Sequence, residues 1–402
     1  MSGRHEGGRT PTPPDESHSL ALANLGGRRP LRVGLVCPYA LDVPGGVQNQ
    51  VLGLAAFLRQ AGHDVRVLAP GGLPDETYGL EPSRFTSAGA ALGVRYNGSV
   101  APVAFGPLAG ARSRRWVAAQ VVDLLHVHEP LVPSASLPAL SAARSPVVAT
   151  FHTATPRSRA LRLAGSALAG AVDRIDARIA VSPTARDVVV RHLGRDAVVV
   201  PNGLDVTAYG GGPTAVPAER LSGAGPRLLF LGRAGERRKG LDVLLAALPA
   251  LRRAHPDLEV LVAGPGPRSL PPGCRSLGLV DEDHKRTLLQ AADVFVAPQT
   301  ARESFGIVVL EAMASGVPVV ASDLPPFADL LGGAQDPAAR LFRRGDPEGL
   351  ATAVLAALRE GRGPRTERAR TLAQRYDWSV VGPEVLGVYA EVLRETSAEG
   401  AS

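Results

Sequence analysis

The strongest constraint in this chain is a rhythm of short apolar runs and helical patterns, repeated on each side of one Gly/Pro-rich stretch. In the first half, residues 31–36 (LRVGLV), 64–69, 124–127, 146–151, 177–181 and 197–200 are apolar and β-leaning, and residues 47–60 carry helical periodicity. In the second half, residues 227–232, 258–263, 294–297 and 317–321 read as strands, with helical patterns at 239–254, 284–291, 305–314 and 347–358. Strands that alternate with helices build parallel sheets covered on both faces. Two such series around residues 206–226 predict an α/β chain of two doubly wound, Rossmann-like domains with a cleft between them. Ligands of these sheets gather at the carboxyl ends of the strands. The loops that follow strands therefore carry the functional weight.

Composition excludes several classes. The 402 residues suit two domains with ample core. No apolar run approaches the roughly 20 residues of a membrane helix, and the longest, 307–320, is broken by Glu311, Ser315 and Gly316. Cys37 and Cys274 are the only cysteines, far apart and without metal spacing, which fits a reducing compartment. Lys plus Arg is 44 against 38 for Asp plus Glu, a net +6 that leaves an anionic partner open. No basic stripe is interleaved with aromatics, so nucleic acid is not expected. Only Lys239 and Lys285 are lysines, which makes each one informative. Residues 1–30 read as a disordered tail.

Three post-strand loops suggest an anion site. CPYALDVPGGVQ (Cys37, Gly45, Gly46, Gln48) opens a helix, and its glycines admit close backbone approach to a ligand. An ordinary βα turn has the same look. FLGRAGERRKG puts Arg233, Arg237, Arg238 and Lys239 beside a helix start. There they oppose the helix dipole unless a diphosphate or solvent offsets them. Glu303 and Glu311 form an E-x7-E pair about two turns apart, able to accept hydrogen bonds from sugar or ribose hydroxyls. Between them Ser304, Phe305, Gly306 and Ile307 offer backbone N–H groups. Two surface acids or a glycosidase acid/base pair fit the same spacing.

Other features stay open between chemistry and structure. His126 and His128 flank Val127 on one strand face, and His152 ends another strand. They read as hydrogen-bonding or proton-handling groups, as structural histidines, or, with Glu129, as a metal site. Asp281–Glu282–Asp283 reads as a helix cap before a D-x-D metal site. Arg112, Arg114, Arg115 and Trp116 cluster on a helical pattern, as an interfacial helix meeting anionic lipid would, or as a surface helix packed on its core.

In order, these motifs resemble the retaining GT-B glycosyltransferases that use nucleotide-diphosphate sugars, from residue 31 to about 392. The closest likeness is to the actinobacterial phosphatidyl-myo-inositol mannosyltransferases, carried by VCPYALDVPGGVQ, YNGSVA (96–101), HVHEP (126–130), VATFHT (148–153), ESFGIVVLEAMASG (303–316) and YDWSVV (376–381). The resemblance implies a GT-B fold and transfer of mannose from GDP-mannose to phosphatidylinositol. It implies no cofactor and no metal, and a cytoplasmic protein held peripherally at the inner face of the plasma membrane. A soluble acceptor, such as an inositol or sugar phosphate, or a different nucleotide-sugar donor is the alternative.

Matching residue by residue, the resemblance makes His152, Arg233, Lys239 and Glu303 catalytic. It adds Gly46, Ser304, Phe305, Gly306, Ile307 and Glu311 to the donor site. Tyr39, Asp42, Asn97, Ser99, Thr153 and Arg238 would hold the acceptor. Arg112, Arg114, Arg115 and Trp116 would meet the membrane. Pro102 stands where that family usually carries a basic residue. The resemblance also sends residues 377–394 back to the first domain (31–205), leaving 227–376 as the second and 395–402 as a tail.

Overall fold

The computed structural model describes residues 29–74, 78–96, 99–152, 165–210, 225–266 and 269–399. Residues 1–28 of the expected tail (1–30), residues 211–224 of the expected linker (206–226), Asn97 and Thr153 lie outside them.

The first sheet takes β1 (Arg32–Val36), β2 (Asp64–Ala69) and β3 (Phe85–Ser87). After a separate antiparallel hairpin, β4 (Leu92–Tyr96) and β5 (Ser99–Val103), it continues with β6 (Leu124–His128), β7 (Val147–Phe151), β8 (Ala177–Ala180) and β9 (Val198–Val199). All its pairings are parallel, in the order β3-β2-β1-β6-β7-β8-β9. The second sheet uses β10 (Arg227–Leu231), β11 (Glu259–Ala263), β12 (Cys274–Gly278), β13 (Val294–Ala297), β14 (Val319–Ser322) and β15 (Arg340–Phe342). It is also wholly parallel, ordered β12-β11-β10-β13-β14-β15. Strand order reverses beside β1 and beside β10, the points where doubly wound sheets open a ligand crevice. Three of the anticipated motifs start there: the Gly45–Gly46 loop after β1, the Arg233–Lys239 loop after β10 and the histidines on β6.

The helices differ from expectation mainly at their starts. Helix α1 (Gly46–Gln60) buries Val51, Leu54, Ala55 and Leu58, the face that its 3.6-residue period foretells. The helix expected from residue 239 begins as a 3-10 turn, Arg237–Lys239, and only then becomes α2 (Leu241–Ala254). The break is Gly240 at φ +74°, where a Cβ would collide with the Pro298 carbonyl. Helix α3 (Glu282–Ala291) and α4 (Ile307–Ser315) follow. The latter starts two residues later than expected because Gly306 sits at φ +98°.

The last helix, α5 (Trp378–Glu399), lies on α1. Its Val381, Val385, Leu386 and Tyr389 share a core with Leu35, Leu54 and Val67. The Trp378 ring sits between two glycines: a Cβ on Gly53 would be 2.6 Å from its Nε1, and one on Gly203 2.5 Å from its Cδ2. Gly203→Ala is therefore expected to displace the indole and cost about 2 kcal/mol by overpacking. A urea titration checks this, and an unchanged midpoint would mean that Trp378 is not clamped there.

Candidate active site

Two helix N-termini, one from each sheet, abut at the cleft. A Cβ on Gly46, the first residue of α1, would lie 3.7 Å from Cγ2 of Ile307, the first residue of α4. Neither helix has a side-chain cap or an acid in its first turn. Their first N–H groups are left without the partners that a cap would supply. Each end carries about half a positive charge, so the pair favours an anion.

Glu303, four residues before Ile307, belongs to a group of charged side chains. Lys239 Nζ lies 3.0 Å from Glu303 Oε2, with both side chains largely buried. Arg238 pairs with Glu236 at 2.6 Å, and Arg233 lies 3.7 Å from the same residue. Arg233 Nη1 also donates to the Val100 carbonyl of β5, at 2.6 Å. That bond ties the post-β10 loop to the hairpin of the first half.

The E-x7-E glutamates are each held by a lysine, and by different ones. Glu303 has Lys239, while Glu311, fully inside α4, meets Lys285 at 2.6 Å. Lys285 also reaches Glu282 at 2.7 Å. Burial alone would lower the Lys285 ammonium, but Glu311 and Glu282 on either side raise it. Burial pushes the Glu311 carboxyl up, and Lys285 opposes that rise. Glu282 accepts further bonds from Tyr209 (3.3 Å) and, across the cleft, from Asn49 (3.1 Å). Sequence reasoning treated Asp281–Glu282–Asp283 as a cap, and Asp281 does cap α3 by accepting from His284 N–H. It missed Glu282 and Lys285. The scarcity of lysine was the available signal, since both lysines of the chain serve this pair of glutamates.

The three histidines form a buried stack. His126 lies 4.4 Å from His128 between centroids, and His128 lies 5.3 Å from His152. His126 Nδ1 bonds the Tyr389 hydroxyl at 2.7 Å and its Nε2 bonds Thr150 Oγ1 at 2.6 Å. His128 Nδ1 and His152 Nε2 are 3.0 Å apart. Burial drives the His126 imidazole down to about 3 and His152 to about 4, with His128 also held well below its usual range. All three are neutral near pH 7. Only His128 and His152 bond each other, and among the described residues no three His, Cys, Asp or Glu side chains converge as a metal would need.

On the expected acceptor side, Tyr39 pairs with Val103 of β5. Asp42 is exposed and accepts from Gly72 N–H at 2.9 Å. Ser99 begins β5. This hairpin was not anticipated from sequence, although Asn97–Gly98 between β-leaning residues is a hairpin signal. At the donor loop, Ser304 carbonyl accepts from Ser182 across the cleft at 2.5 Å. Phe305 turns inward, edge-on to Tyr376 at 5.7 Å, so only its backbone faces the site.

The basic helix, Pro107–Ala119, splits by face. Arg112, Arg114 and Arg115 are exposed. Trp116 corrects the expectation of a membrane contact: it is 5% exposed and packed over Gly34 on β1. Helical spacing puts Trp116 with Ala109, Ser113 and Val117 on the inner face. Leu92 (64% exposed), Phe105 (44%) and Leu108 (75%), on or just after the hairpin, are exposed apolar residues. Among the described residues no helix is long and apolar enough to cross a membrane.

Comparison with known proteins follows this layout. A model described as "Glycosyltransferase Family 4" matches residues 44–208, and one described as "Glycosyl transferases group 1" matches 225–360. The phosphatidyl-myo-inositol mannosyltransferase of Propionibacterium freudenreichii is 47% identical over 364 residues, covering 89% of this chain and 94% of that protein. Its namesake from Mycolicibacterium smegmatis is 44% identical, covering 90% and 94%. Among solved structures, a glycosyltransferase from Rickettsia africae superposes with a TM-score of 0.69 at 17% identity, covering 91% of this chain and 99% of that one. Anabaena HepE in complex with UDP and glucose gives 0.71 at 19%, covering 90% and 100%. These two likenesses establish the shared fold.

Proposed function

The chain belongs to the phosphatidyl-myo-inositol mannosyltransferase family, with a GT-B fold, and on that premise we propose that it transfers mannose from GDP-mannose to the inositol of phosphatidyl-myo-inositol with retention of configuration. The observation that carries this reading is the pair of uncapped helix N-termini that meet at Gly46 and Ile307, with the Lys239–Glu303 pair four residues before Ile307. This is a place for a diphosphate, and for the charge that grows on it as the glycosidic bond breaks. Gly46 admits the phosphates closely. Glu303 takes mannose hydroxyls and Glu311 the ribose, with Ser304, Phe305, Gly306 and Ile307 giving backbone donors. The acceptor attacks on the face that the diphosphate leaves, and the departing phosphate takes its proton. No protein carboxylate serves as nucleophile, and the reaction so drawn uses no metal. His152 positions the sugar and acceptor, while Tyr39, Asp42, Asn97, Ser99, Thr153 and Arg238 take the inositol phosphate.

In this reading the protein works at the inner face of the plasma membrane, docked by Arg112, Arg114 and Arg115 with the exposed apolar residues beside them. Radiolabelled GDP-mannose and UDP-glucose, each offered with phosphatidylinositol vesicles or with soluble inositol phosphate, test the whole reading. Label should pass from GDP-mannose to the lipid, and no labelled lipid would sink it. Reversing the three arginines to glutamate should weaken binding to anionic vesicles on the order of a hundredfold, at about 1 kcal/mol per basic residue. Unchanged co-sedimentation would remove that helix as the anchor.

A further inference from the structure

His128 is the member of the histidine stack whose placement the proposed chemistry leaves unexplained. Among the described residues its ring makes one hydrogen bond, Nδ1 to His152 Nε2 at 3.0 Å. Its Nε2 is buried without a partner, beside a cavity of about 30 Å³ lined by His126, His152, Asn202 and Trp378. A buried polar nitrogen left unmatched costs stability, and an apolar side chain of similar size would avoid that cost. What the imidazole supplies that an apolar group cannot is its bond to His152.

The surroundings make that bond stiff. His126 is pinned through both ring nitrogens, by Tyr389 and Thr150, so its ring cannot turn without breaking two bonds. His128 lies between this fixed ring and His152, with planes inclined by 17° and 20°. The next residue secures the backbone of the same target. Glu129 Oε1 accepts from His152 N–H at 2.8 Å, while Glu129 N–H donates to the Thr150 carbonyl at 2.8 Å. Glu129 does so from a left-handed φ of +45°, which a non-glycine residue seldom adopts. Backbone strain of this kind is kept where surrounding structure over-determines it.

We propose that His128 is the positioning residue of His152, fixing its ring from behind through the Nδ1–Nε2 bond while Glu129 fixes its backbone. The chain of support runs from Tyr389 on the last helix through His126 and His128 to His152. It acts as groups behind a metal ligand do, by setting ring orientation and tautomer. The inference rests on the reading that His152 acts at the reacting sugar.

Four forms of the full chain test it: His128→Leu, His128→Asn, His152→Ala and the double variant His128→Leu/His152→Ala, assayed for transfer from GDP-mannose. His128→Leu should lower kcat about 10- to 100-fold with the donor KM within about twofold. His128→Asn, whose amide nitrogen falls near the lost Nδ1, should recover to within a few-fold of the parent. The double variant should be no slower than His152→Ala alone, because a positioning residue has nothing to act on once its target is gone. Additive losses, or failure of asparagine to rescue a folded protein, would overturn the positioning role and leave His152's role standing. A fully active His152→Ala would overturn both.

Discussion

Replacing Lys239 with methionine is expected to cut transfer from GDP-mannose about a hundred- to a thousandfold. Lys239 sits 3.0 Å from Glu303 in a largely buried pair, and Glu303 lies four residues before the start of α4, whose N-terminus meets that of α1. When the glycosidic bond breaks, negative charge accumulates on the diphosphate, and a preorganised cation there is worth on the order of 3–4 kcal/mol. The substitution removes that cation and leaves Glu303, an acid meant for neutral hydroxyls, facing the phosphates alone. Steady-state transfer with near-saturating donor, alongside GDP binding by calorimetry, separates loss of rate from loss of affinity. Undiminished turnover would exclude Lys239 from the diphosphate.

Mild acid is expected to unfold the first half of the molecule. His126, His128, His152 and His63 are all depressed by burial, His126 to about 3 and His152 to about 4. In the unfolded chain a histidine titrates near 6.5. Above that value both states are neutral at these rings and stability is flat. Below it the unfolded state binds protons that the folded state refuses, so stability falls as pH drops from about 6.5 towards 4. Three stacked rings at about 1.4 kcal/mol per pH unit each give a slope of about 4 kcal/mol per unit. By about pH 5 the loss rivals the whole stability of an ordinary domain. Urea midpoints measured from pH 7.5 to 5 should therefore collapse. A flat series would mean that these rings accept protons in the folded state.

Much of the fold was readable because it is local. Strands 64–69 and 294–297 end where their apolar runs end. Such runs, buried on both faces, leave little choice of partner or register. The helices expected from 239 and 305 each begin two residues later, because left-handed Gly240 and Gly306 delay them and periodicity is blind to φ. The hairpin at 92–103 was passed over although its turn residues announce it.

At the site, sequence alone named the loops from which the candidate residues come. Gly46, Arg233, Lys239 and Glu303 all follow strands, and in a doubly wound sheet the ends of strands converge on one crevice whatever the details. Tertiary structure decided who touches whom. Lys285 reaches Glu311, Asn49 crosses to Glu282, Trp116 turns into the core, and His128 is wedged between two other rings. His126 beside His128 apart, those pairings join residues tens to hundreds of positions apart. Their partners are selected by distance in the packed molecule, a quantity that no local pattern of residues encodes.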